Sequence, residues 1–247
     1  MLLRFGINQD LLNLKIAREI FWDTSRNAMC LLQGATGSGK TFLLNRMLAY
    51  CEYDLEQSGE NATVILCDFK GDDSFKDYRE CRNYYSFMEC MQGVERFWNI
   101  FQERQQGNPD RSLVLMCFDE YASFLTALDK KEQEAVKKKI AVCVMMARSF
   151  GMSIIFVCQM GYAETFDKIR NNITCVIAMS NISKEMQQMF FYNVKDDIRT
   201  DKTRGTGQVL FDGCRLQHIV VPRIRNIKKM NLYVKKLLDR NGIIEEG

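Results

Sequence analysis

Residues 34–41 read Gly-Ala-Thr-Gly-Ser-Gly-Lys-Thr, a complete GxxxxGK[ST] loop. The loop lies between the apolar run Ala28 to Leu32 and the helix-compatible run Phe42 to Cys51. This is the strand–loop–helix context the motif requires. Gly34, Gly37 and Gly39 let the backbone turn so that successive N–H groups face inward, with the positive end of the following helix behind them. Such a cradle fits phosphate oxygens, and Ala35, Thr36, Ser38 and Phe42 complete its contact set. Lys40 is expected to reach the β- and γ-phosphates, and the Thr41 hydroxyl to ligate Mg2+.

A nucleoside triphosphatase needs a second element, and residues 112–120, SLVLMCFDE, supply it as an apolar strand ending in Asp119-Glu120. Asp119 at the strand tip is expected to hold the Mg2+ shell opposite Thr41, and Glu120 to polarise the attacking water. A further buried strand, Met152 to Gln159, ends in an amide that can sense the γ-phosphate or position water. Val64 to Phe69 and Cys175 to Ser180 read as two more buried strands, with Asp68 at the carboxyl end of the first. In an open parallel sheet that end faces the ligand crevice.

Helical spacing places Leu11, Leu12, Ile16, Ile20 and Phe21 on one stripe, which predicts a helix over 9–24 packing on the sheet. Helices are also predicted over 87–106, 129–150 and 184–191, and a basic amphipathic one over 227–238. The polar segment 194–207 reads as an exposed loop, and the runs flanking Asp212-Gly213 as a closing β-hairpin. His218 is the sole histidine and sits in the apolar run LQHIVV, so histidine general-base chemistry and a histidine metal site are not expected.

With 247 residues, 47% of them hydrophobic, the chain can bury the core of one large α/β domain. We read a single domain over 1–247, with 1–27 as the N-terminal helix on it. Net charge is +3, so nucleic-acid binding has to be argued from local clusters. The ten cysteines form no CxxC pair and several lie in apolar runs, which suits a reducing cytoplasm and argues against structural zinc. No signal-peptide core is read at the start, and no apolar stretch approaches the ~20 residues that span a bilayer. A cytoplasmic protein without direct membrane insertion is expected.

Taken in order, these motifs resemble the FtsK/SpoIIIE and HerA group of hexameric RecA-like DNA-translocating ATPases. GATGSGKT resembles the group's phosphate loop, and LCDFKGDD at 66–73 its second-strand signature, with Phe69 in place of the usual proline. MCFDEYASF at 116–124 is similar to its Walker B strand, and ARSFGMSIIFVCQ at 147–159 to the strand ending in Thr-Gln, with Cys158 for threonine. IRNNITCVIAMSNIS at 169–183 and RGTGQVLF at 204–211 resemble its late segments.

The resemblance implies a RecA-like P-loop fold: a mainly parallel central sheet, helices on both faces and a C-terminal antiparallel hairpin extension. It places the Met152 to Cys158 strand between the loop strand and the Asp119 strand. It implies ATP and Mg2+, a ring-shaped homo-oligomer, a hexamer in this family, and duplex DNA as the track. A stand-alone motor serving replication, DNA transfer or packaging of a mobile element is the expectation, with a replication- or transfer-complex protein as a possible partner. A protein-secretion ATPase, a single-strand helicase and a regulatory or scaffold ATPase are the alternatives. No arginine is read as acting on its own γ-phosphate, so Arg148 and Arg170 are the candidates for a cation supplied to a neighbouring subunit. The DNA-contact candidates are Lys70, Lys130, Lys131, Lys137, Lys138, Lys139, Lys202 and Arg204, although a charge run of this kind is ordinarily a solvated face.

Overall fold

The computed structural model describes residues 1–159, 163–200 and 203–240. The chain opens with β1 (Leu2–Asn8), a short helix α1 (Gln9–Asn13) and β2 (Glu19–Asp23). The phosphate loop joins β3 (Met29–Gly34) to α2 (Lys40–Ser58). There follow β4 (Ala62–Asp68), β5 (Tyr84–Ser86), α3 (Cys90–Gln105), β6 (Leu113–Asp119), α4 (Tyr121–Ala127) and α5 (Lys130–Met146). Next come β7 (Met152–Cys158), α6 (Ala163–Phe166), β8 (Cys175–Met179) and α7 (Lys184–Met189). The hairpin β9 (Thr206–Phe211) and β10 (Arg215–Val220) leads into α8 (Ile227–Asp239).

These strands form one ten-stranded sheet in the order β2-β1-β10-β9-β8-β3-β7-β6-β4-β5. From β8 through β3, β7, β6 and β4 to β5 every pairing is parallel. Strands β3, β4, β6, β7 and β8 are buried along their whole length, as continuous apolar runs covered on both faces must be. One face packs on α2 and α8 through Leu43, Met47, Leu55, Val234 and Leu237. The other packs on α3 and α5 through Val94, Phe97, Phe101, Val136 and Ile140. As the family resemblance implied, β7 lies between β3 and β6.

The remaining pairings, β8–β9, β9–β10, β10–β1 and β1–β2, are antiparallel. The extension is therefore larger than one hairpin, and here the helix predicted over 9–24 is corrected. Asn8 caps α1 through its side chain, which accepts from the Leu11 N–H at 3.0 Å, and Lys15 with φ 64 ends the turn. The segment then returns as β2 along β1. The apolar positions fitted a 3.6 period, but EIFWD also alternates with period two. Ile20 and Trp22 point inward while Phe21 is exposed, and pairing with β1 selects that strand pattern. Nothing before β3 satisfies a helix longer than α1, so 1–27 is an antiparallel strand pair rather than a helical cover.

Candidate functional site

In the parallel half, the carboxyl ends of β3, β4, β6 and β7 lie along one edge of the sheet. Register brings Asp68 opposite Asp119, Asp119 opposite Val157, and Gln33 opposite Cys158. The residues that follow these ends, the phosphate loop, Lys70, Glu120 and Gln159, therefore converge. They line a cleft of about 240 Å3, in which Thr36, Gly37, Gly39, Lys40, Thr41 and Phe42 form one wall. Asp72, Ser74, Asp119, Glu120, Gln159 and Arg204 complete it. Larger hollows of about 370 and 560 Å3 lie beside the N-terminal strands and at the amino ends of the parallel strands, away from the loop.

The loop has the geometry its glycines require. Gly37 and Gly39 adopt φ 78 and 103, a region that costs side-chain-bearing residues. A Cβ on Gly34 would come 2.6 Å from the Met179 carbonyl oxygen and 2.7 Å from Ser38 Oγ. Gly39 caps α2 without a side-chain hydrogen bond, so the first N–H groups of that 19-residue helix remain available at its positive end. Lys40 is buried, at 7% exposure, and its Nζ donates to the carbonyl oxygens of Gly34 at 2.6 Å and Ala35 at 3.2 Å. Burial lowers its pKa, an effect opposed by Asp119 and Glu120. Phosphate oxygens would replace those two carbonyl partners with anionic ones.

On the opposite wall, burial raises the Asp119 carboxyl to about 7, with Glu120 and Asp68 adding to the rise. Asp68 is raised by burial as well, offset by the Tyr84 hydroxyl, which donates to its Oδ2 at 2.7 Å. Asp68 Oδ1, Ser38 Oγ and Gln33 Oε1 are buried without a hydrogen-bond partner. Gln33 Nε2 donates to the Gln159 carbonyl at 3.0 Å and so ties the tip of β7 to the loop strand.

The buried Asp119 carboxyl, raised by desolvation, fits a cation such as Mg2+, and the unpartnered Ser38 hydroxyl can donate to a phosphate oxygen, so the residues fit a nucleoside triphosphate with Mg2+. Asp119 and the Thr41 hydroxyl are the residues that would hold the cation. Among the described residues, no group of three or more His, Cys, Asp or Glu could hold a metal alone. That suits Mg2+, which usually takes one or two carboxylates plus substrate phosphates.

The other sequence candidates lie elsewhere. Arg148 sits in a 3-10 turn before β7 and Arg170 in one before β8, both exposed at the amino edge of the parallel strands. The structure brings neither to the cleft. Lys130, Lys131 and Lys138 are solvent-exposed on α5, Lys137 donates to the Glu164 carbonyl at 3.2 Å, and Lys139 pairs with Glu95. Lys202 lies outside the described residues. Lys70 lines the cleft, with its Nζ 3.2 Å from Glu120 Oε1.

An arginine does stand in the cleft beside the phosphate loop. Arg204, read from the sequence as a DNA contact, lines it. The reason is topological. Because β9 runs antiparallel to β8, with Gly207 beside Met179, the start of β9 falls at the carboxyl edge where the loop is. Asp72 and Ser74 were also missed; there Asp72 accepts from the Ser74 N–H at 2.8 Å and forms the rim after β4. The run GDDSF carried a turn signal that would have marked this rim.

No family model matches the chain. It is 24% identical over 212 residues to the FtsK domain-containing protein YdcQ of Bacillus subtilis (strain 168), covering 78% of this chain and 43% of that protein. The chain thus spans less than half the length of this curated relative. In fold it is similar to the pCW3 conjugation coupling protein TcpA, solved as a monomer form with ATPγS. The TM-score is 0.72 at 16% identity, over 96% of this chain and 70% of that one. It is also similar to the cytoplasmic domain of the type VII secretion ATPase EccC of Thermomonospora curvata. There the TM-score is 0.68 at 16% identity, over 95% of this chain and 30% of that one. The resemblance to FtsK-type domains read from the motifs is matched in sequence by this curated relative, and the fold is shared with the two solved structures.

Proposed function

We propose that this chain, similar to an FtsK domain-containing protein in sequence, is a motor domain that hydrolyses ATP and uses the energy to move along duplex DNA as a ring of subunits. The observation that carries the chemistry is the convergence of Lys40, Thr41, Asp119, Glu120 and Gln159 on one cleft. Lys40 and the loop N–H groups bind the β- and γ-phosphates. Thr41 and Asp119 would hold Mg2+, which would supply positive charge against the phosphates. Glu120 accepts the proton of the attacking water, and Gln159, whose main-chain carbonyl accepts from Gln33, orients that water or reads the γ-phosphate. Arg204 supplies a cation from the same subunit. Arg148 or Arg170 supplies one to the next subunit, where such a finger is worth about 10^3 to 10^5 in rate.

Among the described residues no helix is long and apolar enough to cross a membrane. A cytoplasmic site of action is part of the proposal. Transport of a polypeptide is the second reading, favoured by the likeness to a secretion ATPase at a TM-score close to that of the conjugation protein.

The trans arrangement is tested by mixing. Lys40→Ala subunits, which keep their arginines, should partly restore turnover to subunits lacking the true finger. Absence of rescue for both Arg148→Ala and Arg170→Ala, with assembly intact, would refute it. The choice of track is tested by turnover with linear duplex DNA, which should rise for a DNA motor and stay flat for a polypeptide transporter.

A further inference from the structure

We propose that Lys70 restrains Glu120 through their ion pair, and that phosphates of a bound DNA backbone release this base by drawing Lys70 away. The inference rests on the reading of Glu120 as the base of an ATP-hydrolysing site. Lys70 acts through Glu120 and is a positioning residue.

The Glu120 backbone is fixed from both sides. Its N–H donates to the Val157 carbonyl at 2.9 Å, and its own carbonyl accepts from the Phe124 N–H at 3.0 Å. Its φ of 59 is a strained, left-handed value for a residue with a side chain. Main-chain travel is thereby closed off, and side-chain rotation alone decides where the carboxylate points. Both of its oxygens are engaged: Lys70 Nζ lies 3.2 Å from Oε1, and Ser123 Oγ donates to Oε2 at 3.4 Å. A base needs a lone pair facing the water it deprotonates, and Lys70 and Ser123 together hold this carboxylate in one orientation.

The two partners differ in access. The Glu120 side chain is 9% exposed and that of Lys70 is 44% exposed, so the lysine end of the pair is the one a polyanion can reach. The main chain on either side of Lys70 is braced. The Phe69 N–H bonds to the Asp119 carbonyl and the Gly71 N–H to the Asp68 carbonyl, each at 3.4 Å. Gly71, with φ 64, packs so closely that a Cβ there would fall 2.4 Å from the Phe87 ring. Arg79 donates to the Gly71 carbonyl at 3.2 Å and lies 3.7 Å from the exposed Asp73 carboxylate, so it braces this turn with its own charge already paired. What can move is the four-carbon Lys70 stem, a flexible carrier of a point charge suited to trading one anion for another. A phosphate that takes the ammonium leaves Glu120 free to turn toward water, which couples occupancy of the track to hydrolysis.

The test uses the full chain and three variants, Lys70→Ala, Lys70→Arg and Glu120→Gln, with ATP turnover measured alone, with linear duplex DNA, and with polyglutamate. Lys70→Ala is expected to raise basal kcat about two- to fivefold, the weight of a half-exposed ion pair, with KM for ATP unchanged and further stimulation by DNA lost. Lys70→Arg, which keeps the charge, should show a basal rate below that of Lys70→Ala and retain the DNA response. A fall in kcat or a rise in KM in Lys70→Ala would mean that the lysine serves the nucleotide directly and would overturn the restraint. DNA stimulation retained in Lys70→Ala, or polyglutamate acting as well as DNA, would also overturn the proposal. Glu120→Gln separates the two levels. If it turns over ATP like the parent, the base assignment falls and the restraint with it; if it is inactive while Lys70→Ala shows no gain, the restraint alone falls.

Discussion

The parallel and antiparallel halves of the sheet are built by opposite rules. In the parallel half each strand is apolar on both faces and its polar residues are gathered at one end, so Gln33, Asp68, Asp119 and Gln159 share an edge. In the antiparallel half β9, beside β8, is buried almost throughout, but the outer strands β10, β1 and β2 open to solvent through Gln217, Leu2 and Phe21, and ion pairs such as Arg4 with Glu19 and Arg199 with Asp10 tie this half. The first arrangement concentrates chemistry, whereas the second distributes stability. Each half should therefore fail in its own way when altered.

The largest effects belong to the parallel half. Lys40→Ala is expected to abolish nucleotide binding or turnover, and Glu120→Gln to lower kcat about 10^2- to 10^4-fold while still binding ATP. Isothermal titration and steady-state kinetics distinguish the two. Gly34→Ala should cost about 1–3 kcal/mol, because its Cβ meets main chain that has little room to yield. Thermal unfolding with and without nucleotide reads both the loss of stability and the loss of affinity.

Asp119 supplies a pH-dependent test of the same edge. Its folded-state carboxyl stands at about 7 against an ordinary 3.8, so the folded protein retains a proton that the unfolded chain releases earlier. That contribution to stability is fully present below 3.8 and is lost as pH rises through about 7. Asp119→Asn should accordingly be more stable than the parent at pH 8 by a few kcal/mol, with the difference vanishing at acidic pH. Binding of Mg2+ and ATP near neutral pH should release a proton from the parent that the variant does not release, a difference calorimetry in two buffers resolves.

The antiparallel half should give the smallest effects. Arg4 lies over the Tyr50 ring and bridges Glu19 and Asp54, so Arg4→Ala is expected to cost about 1 kcal/mol. Phe21→Ser, at an exposed position, should change stability by about 0.5 kcal/mol or less and leave ATP turnover unaltered. A large loss of turnover in either variant would show that the two halves are functionally coupled.

The same contrast explains what was legible in the sequence. The phosphate loop and Asp119-Glu120 carry fixed spacing and follow continuous apolar runs, so residue order alone located them. Segment 9–24 carried two compatible periods, and only its pairing with β1 decides between them. Arg204 and Lys70 are surface cations by sequence. Their place in the cleft depends on which edge the start of β9 meets and on how the chain turns after Asp68, neither of which a linear pattern encodes. Arg148 and Arg170 stand at the far edge for a related reason: each precedes its strand, and parallel strands put their starts away from the site.

The most direct test of the central claim is ATP turnover by the assembled protein with and without linear duplex DNA, with the mass of the assembly measured on the same sample. The account predicts a multi-subunit particle whose turnover rises with DNA and disappears in Glu120→Gln. An assembled, active particle whose turnover is indifferent to DNA would contradict it.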